Sequence, residues 1–218
     1  GCQMLLHVRD NEIQRVTGVE HALPNEGSLC VKGRFGFEFV SSMERLKTPL
    51  VRENGRLREA SWDEALEVCA TGLKTATERH GPDSVGVLSS ARATNEENYL
   101  VQKFTRAVLG TNNIDHCARL CHSSTVSGLG QVFGSGAMTN SIADIEKAEV
   151  ILVTGSNTTE SHPVLSIRIK RAVTQGGARL ILVDPRRIPL QDFAHVWLRQ
   201  NLGTDIAWIN AMIQVIIE

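Results

Sequence analysis

The stretch EVILVTGSNTTESHPVLSIRIKRAVTQGGARLILVDPRR, residues 149–187, decides the fold. EVILVTG (149–155) is short and almost continuously apolar, as a strand covered on both faces must be. PVLSIRIKRAVTQ (163–175) repeats its apolar residues at helical spacing, Gly176-Gly177 stops it, and RLILVD (179–184) is a second buried strand. Strand, amphipathic helix and strand in this order form a βαβ unit, which requires a parallel sheet and a right-handed crossover. HVWLR (195–199) predicts one more strand, and a helix from Asp205 extends the layer.

Toward the N-terminus the same alternation continues. SVGVLS (84–89) reads as a buried strand, and Thr94 with Glu97 forms a capping box for a helix through about Leu109, stopped by Gly110. Ser61 and Glu64 open the helix WDEALEVCATGLKTATER (62–79) in the same way, with Gly81-Pro82 as its end. A loop of roughly ten residues follows Gly110, and another helix is expected from Ser123 or Ser124. Before Ser61 the texture is β-rich: MLLHV, a turn at Arg9–Asn11, EIQRVTGV, and a hairpin in PLVRENGRLREA whose Asn54-Gly55 suits a type I′ turn. The expected fold is α/β, with a β-rich layer over 1–60, an α/β segment over 61–140 and a Rossmann-like layer over 141–218.

Composition excludes several functions. A formal charge of -1 over 218 residues provides no basic field for nucleic acid or an anionic membrane. No run of apolar residues is long enough for membrane insertion, and the opening GCQMLLHVRDNE is not a signal peptide, so the cytoplasm is the expected location. Five cysteines at irregular spacing argue against a secreted disulfide framework and leave metal ligation or inert burial. The chain starts on Gly-Cys and stops within the apolar helix AMIQVIIE, so both ends are expected to be cuts in a longer chain.

Ligands of open α/β sheets sit at the carboxyl ends of the strands, which directs attention to TGSNTTESHP and DPRR. Neither is a G-x-G-x-x-G fingerprint. Gly155, Ser156, Asn157 and Thr159 still offer backbone and hydroxyl groups to phosphates, Asp184 suits a ribose or a purine N–H, and Arg186 suits a phosphate. The bland alternative is loop capping and a surface arginine. Cys30, in LCVKGRFG, is followed by Lys32, Gly33 and Gly36, and shares its β-rich layer with Cys2. Two thiolates are half of what a [4Fe–4S] cluster needs, so structural cysteines stay open as a reading. In HCARLCHSST (116–125), Cys121 lies just before a helix N-terminus with Arg119 and His122 beside it, an environment that favours a thiolate acting as metal ligand or nucleophile. Two packed thiols and a core histidine are the alternative.

Taken together, GCQMLLHV, LCVKGRFGFEFV, RLKTPLVRENGRLREASWDEAL, NEENYLVQKFTRAVLGTNNIDHCARLCHSSTVSGL, GSGAMTNS, GSNTTESHP and LVDPRR span nearly the whole chain. In order and spacing they resemble the N-terminal part of the molybdenum- or tungsten-bis(pyranopterin guanine dinucleotide) oxidoreductase family, and within it the catalytic subunits of metal-dependent formate dehydrogenases. The resemblance implies that Cys2 is the last cysteine of a Cys-x2-Cys-x3-Cys run and Cys30 the distant fourth ligand of a [4Fe–4S] cluster, the other two lying before residue 1. It implies that Lys32 carries an electron path between cluster and pterin, that Cys121 ligates molybdenum or tungsten, that His122 handles a proton, and that Cys117 is a packed thiol. Gly155, Ser156, Asn157, Thr159, Asp184, Pro185, Arg186, Gly203 and Asp205 are implied to contact the guanine dinucleotide. One departure stands out: in some relatives an arginine-glycine pair that contacts the pterin follows the Ser-Ser of the first α/β strand, whereas Ser89-Ser90 here precedes Ala91 and then Arg92, so Arg92 is not counted among the ligands.

The implied activity is oxidation of formate to carbon dioxide, or the reverse, with electrons passing to the cluster and on to iron–sulfur, diaphorase or hydrogenase-type subunits. The 218 residues alone are expected to be inactive, since the family's substrate-binding arginine is expected beyond residue 218. The rival readings are a nitrate reductase-like relative, a non-catalytic electron-transfer subunit like the large iron–sulfur subunit of complex I, and a Rossmann-like domain with unrelated thiols.

Overall fold

The computed structural model describes residues 1–218. The chain begins with a hairpin of β1 (Met4–Arg9) and β2 (Glu12–Gly18), turned by Asp10 and Asn11, both in the left-handed region as a type I′ turn requires. A five-residue helix, α1 (Val31–Phe35), follows a loop that carries Cys30 at its end. A second hairpin, β3 (Leu50–Glu53) and β4 (Arg56–Glu59), turns at Asn54-Gly55 with φ of 51° and 80°. Then come α2 (Trp62–His80), β5 (Val87–Ser89), α3 (Asn95–Phe104), β6 (Ile114–His116), α4 (Ala118–Cys121) and α5 (Ser123–Phe133). The last third holds β7 (Val150–Thr154), α6 (Thr158–Ser161), α7 (Pro163–Thr174), β8 (Arg179–Val183), β9 (Val196–Leu198) and α8 (Asp205–Ile217). No helix is long and apolar enough to cross a membrane.

Two compact units result: Gly1–Met43 with Thr139–Glu218, and Glu44–Met138. The two hairpins expected in one layer over 1–60 therefore lie in different units.

In the first unit, β7, β8 and β9 form a parallel sheet in that order. Its core is Val153, Ile169, Leu180, Leu182, Ile188 and Leu190, drawn from β7, α7, β8 and the turn after β8. The predicted βαβ unit is thus the best-buried part of the protein. Arg168 of α7 lies in this unit with only 8% of its side chain exposed, held by Glu26 at 2.6 Å and Glu146 at 2.9 Å. Glu26 belongs to the loop between β2 and α1, so this ion pair ties that loop to α7.

The hydrogen bond and charge of Arg168 hold the Glu26 carboxyl below its ordinary 4.5. The stabilisation is complete above that ordinary value and is lost as pH falls through the lower value of the folded state. Arg168→Met is expected to lower the melting temperature by about 5 °C at neutral pH. It should also flatten the wild-type decline between about pH 5 and 3. Thermal melts of both proteins across that range check this, and equal slopes would count against the pair.

In the second unit, β5 and β6 pair in parallel, so β5, α3 and β6 make another βαβ unit. β6 falls within the stretch after Gly110 that is expected as loop. Thr94 and Glu97 make the complete predicted capping box of α3, which continues through a π-helical turn (Thr105–Leu109) to Gly110 in the left-handed region. At α2 only half the box forms: Ser61 accepts from the Glu64 N–H at 3.2 Å, while the Glu64 carboxylate turns to Arg58 at 2.5 Å. Charge pairing wins there over the second capping bond.

Candidate metal and cofactor sites

Because β5 and β6 are parallel, their carboxyl ends deliver two loops to one edge, Ser90–Ala93 and Cys117 onward. Cys117 is the N-cap of α4, Cys121 ends it, and His122, at φ −140°, joins α4 to α5. Cys121 and His122 are both exposed. The one-turn helix is built locally: His116 Nδ1 accepts from the Ala118 N–H at 3.0 Å, which requires a lone pair on that nitrogen, and the His122 N–H donates to the Ala118 carbonyl at 2.9 Å. Arg119 does not stand free beside Cys121 as the sequence suggested; its Nε donates to Asp115 at 2.8 Å. The Arg119 guanidinium, helped by the His116 backbone N–H, holds the Asp115 carboxyl below the usual carboxylate range.

Cys117, expected as a packed thiol, is exposed, and its Sγ accepts from the Ala91 N–H at 3.2 Å. The loop after β5 is further held by Asn98 of α3, whose Nδ2 donates to the Ser90 carbonyl at 3.2 Å and the Thr94 carbonyl at 2.9 Å. Arg92 is exposed in this loop. The edge therefore presents two exposed thiols, Cys117 and Cys121, the second directly followed by His122, on a fixed backbone, a donor set that fits a soft metal able to take a thiolate.

At the carboxyl edge of β7, β8 and β9 the polar groups are of another kind. Gly155, at φ 56°, leaves β7, and its N–H still donates to the Val183 carbonyl at 3.1 Å. Between Asn157 and α7 stands the single turn α6, so no long helix N-terminus faces the loop directly as the sequence implied. That turn directs Thr159 to Ser166, 3.1 Å away, and buries Thr158 instead. Asp184 is buried; its Oδ1 accepts from the Arg186 N–H at 2.8 Å, closing the turn through Pro185 and leaving the Arg186 side chain 75% exposed. After β9, Gly203 at φ 77° turns the chain into α8, and Asp205 accepts from Trp208 Nε1 at 3.2 Å.

Four buried side-chain atoms lack a hydrogen-bond partner: Asn157 Oδ1, Thr158 Oγ1, Gln191 Oε1 and Gln200 Oε1. All four lie in the segments that leave the carboxyl ends of β7, β8 and β9. Buried polar atoms are otherwise almost always paired, so these acceptors fit a ligand rich in N–H and O–H groups. Gln191, Gln200 and Thr158 were not singled out from the sequence; the strand-end rule would have found them.

In the N-terminal segment Cys2 is exposed, Cys30 is half-buried, and both thiols are free. Asn25, fully buried, spans the backbone between them: its Oδ1 accepts from the Gln3 N–H at 2.6 Å, and its Nδ2 donates to the Gln3 and Ser28 carbonyls at 3.1 and 2.9 Å. Lys32 is exposed in α1, and its carbonyl accepts from the Gly36 N–H at 2.9 Å. A Cβ at Gly36 would lie 2.6 Å from that carbonyl, whereas at Gly33 it would meet only ordinary contacts. Two free thiols fit half of the ligand set of a four-iron cluster.

The model of the molybdopterin oxidoreductase family matches residues 45–218, and that of the molybdopterin oxidoreductase Fe4S4 domain matches residues 1–42. The F420-dependent formate dehydrogenase 1 subunit alpha of Methanococcus maripaludis is 50% identical over all 218 residues, and the corresponding subunit of Methanocaldococcus jannaschii 48%. The chain spans 32% of the length of each. Among solved structures, acetylene hydratase from Pelobacter acetylenicus superposes with a TM-score of 0.80 at 28% identity, over 99% of this chain and 30% of that one. Both the cysteine-bearing N-terminal segment and the two parallel-sheet units are thereby accounted for, and the chain belongs to the molybdopterin oxidoreductase family, with its N-terminal segment matching that family's Fe4S4 domain.

Proposed function

We propose that this chain is the N-terminal portion of a formate dehydrogenase catalytic subunit, interconverting formate and carbon dioxide at a molybdenum or tungsten bis(pyranopterin guanine dinucleotide) centre. The observation that carries this reading is the exposed Cys121-His122 pair at the carboxyl edge of β6, in a chain half identical to a formate dehydrogenase alpha subunit. Bound there, the metal–pterin group supplies the two-electron acceptor that cleavage of the formate C–H bond requires. Cys121 offers its thiolate to the metal. His122, whose ring is exposed beside it, orients formate and takes the proton released as formate becomes carbon dioxide.

Asn157, Gly155, Ser156, Asp184, Pro185, Arg186, Gly203 and Asp205 hold the guanine dinucleotide, with Thr158 supplying the hydroxyl that Thr159 spends on Ser166. Cys2 and Cys30 give the [4Fe–4S] cluster two of its sulfurs, and Lys32, two residues after Cys30, serves the electron path between pterin and cluster. Partner subunits of iron–sulfur, diaphorase or hydrogenase type then take the electrons; two relatives are named for dependence on F420, which supports a dedicated electron acceptor in general. The cytoplasm is the proposed location.

Formate-dependent dye reduction by the full-length protein, with molybdenum, tungsten and iron measured on the same sample, tests this. One of the two metals, four-iron content and formate oxidation are expected. Reduction of nitrate, or hydration of acetylene, without formate oxidation would assign the chain to another branch of the family. Iron alone would assign it to an electron-transfer role.

A further inference from the structure

The loop between β2 and α1 offers few of its own backbone groups to secondary structure, yet it must bring Cys30 to a fixed place relative to Cys2, with 27 residues between them. Closing such a loop costs conformational entropy unless something inside the fold holds its ends. Asn25 is that group. Its carboxamide has two N–H donors and one carbonyl acceptor, and all are used: the acceptor and one donor pair with both backbone groups of Gln3, as a neighbouring strand would, and the second donor reaches the Ser28 carbonyl. Gln3 directly follows Cys2, and Ser28 stands two residues before Cys30. The side chain is inaccessible to water, so no solvent molecule replaces these bonds.

We propose that Asn25 is the positioning residue of the iron–sulfur cluster, its carboxamide fixing the backbone beside Cys2 against the backbone beside Cys30. This rests on the reading of those two cysteines as cluster ligands. Aspartate at this place keeps the size and the acceptor but loses both donors, and sets a carboxylate against the Gln3 and Ser28 carbonyls.

The test uses the full-length holoprotein and its Asn25→Asp variant, with Val16→Ala, a buried core change in the adjacent β2, as a control for general destabilisation. Asn25→Asp is expected to release iron to a chelator about tenfold faster and to shift the electron paramagnetic resonance spectrum of the reduced cluster. Pterin content should be unchanged, and Val16→Ala should leave the spectrum as it is. Should Asn25→Asp not accumulate, Asn25→Ser, which keeps an acceptor without the paired donors, takes its place in the same comparison. Wild-type iron release and spectrum in the Asn25 variant, or the same changes in Val16→Ala, would overturn the proposal. Cys30→Ala separates the two levels. If it loses the cluster while Asn25→Asp behaves as wild type, the ligand reading stands and the positioning role fails; if it keeps four irons, both fail.

Discussion

Replacing Cys121 by alanine in the full-length protein is expected to reduce formate oxidation about a thousandfold or more while leaving the iron content intact. The thiol ends a one-turn helix whose backbone is fixed by the His116 cap and by the bond from the His122 N–H, so the sulfur is presented at a fixed place. Alanine removes the soft donor at that point; the other exposed thiol of this edge, Cys117, stands four residues earlier, where its sulfur accepts from the Ala91 N–H. Serine, a harder donor in the same place, should restore only a small part of the activity. Cys117→Ala, losing one bond to the loop after β5, is expected to cost less than about tenfold. Steady-state rates with formate and a dye, set beside iron content, separate these outcomes.

Gly18→Ala is expected to destabilise the N-terminal segment by about 3 kcal/mol, a fall of roughly 6–12 °C in melting temperature. Gly18 ends β2, and a Cβ built there would lie 2.1 Å from the Gly27 carbonyl oxygen and 2.4 Å from its carbon. Both are backbone atoms, so no rotamer relieves the clash and the two segments must separate. Gly27 lies at φ 78° in the loop that leads to Cys30, so this separation acts on the backbone that Asn25 and Arg168 hold in place. Loss of iron along with thermal stability is therefore expected. An alanine variant melting within a degree or two of wild type would show that the two segments need not approach so closely.

The elements legible in the sequence share a property: their signal is local. EVILVTG and RLILVD announce buried strands because both faces must be apolar, and β7 and β8 are found there. Asp10-Asn11 and Asn54-Gly55 specify their hairpins through backbone conformation alone. Where the deciding contact is distant, the sequence is silent. β6 has three residues, Ile114, Asp115 and His116, too few for a period, and is a strand only because β5 pairs with it. Asn25 looks like a loop residue until Gln3, 22 positions away, is seen to use its side chain. Thr158 and Thr159, alike in sequence, differ in environment because a single turn of helix, α6, brings one hydroxyl to Ser166 and buries the other residue. Cys121 and His122 are neighbours in the chain, so an adjacent thiol and imidazole are visible without a distant partner; the residues alone leave packed thiols open, and the metal role is implied by the family resemblance.

The account stands most directly on the sulfur of Cys121, and X-ray absorption at the molybdenum or tungsten edge measures it. Spectra of the full-length protein and its Cys121→Ala variant, both loaded with cofactor, are predicted to differ by one metal-bound sulfur. An unchanged sulfur count in the variant would contradict the assignment of Cys121 as the ligand.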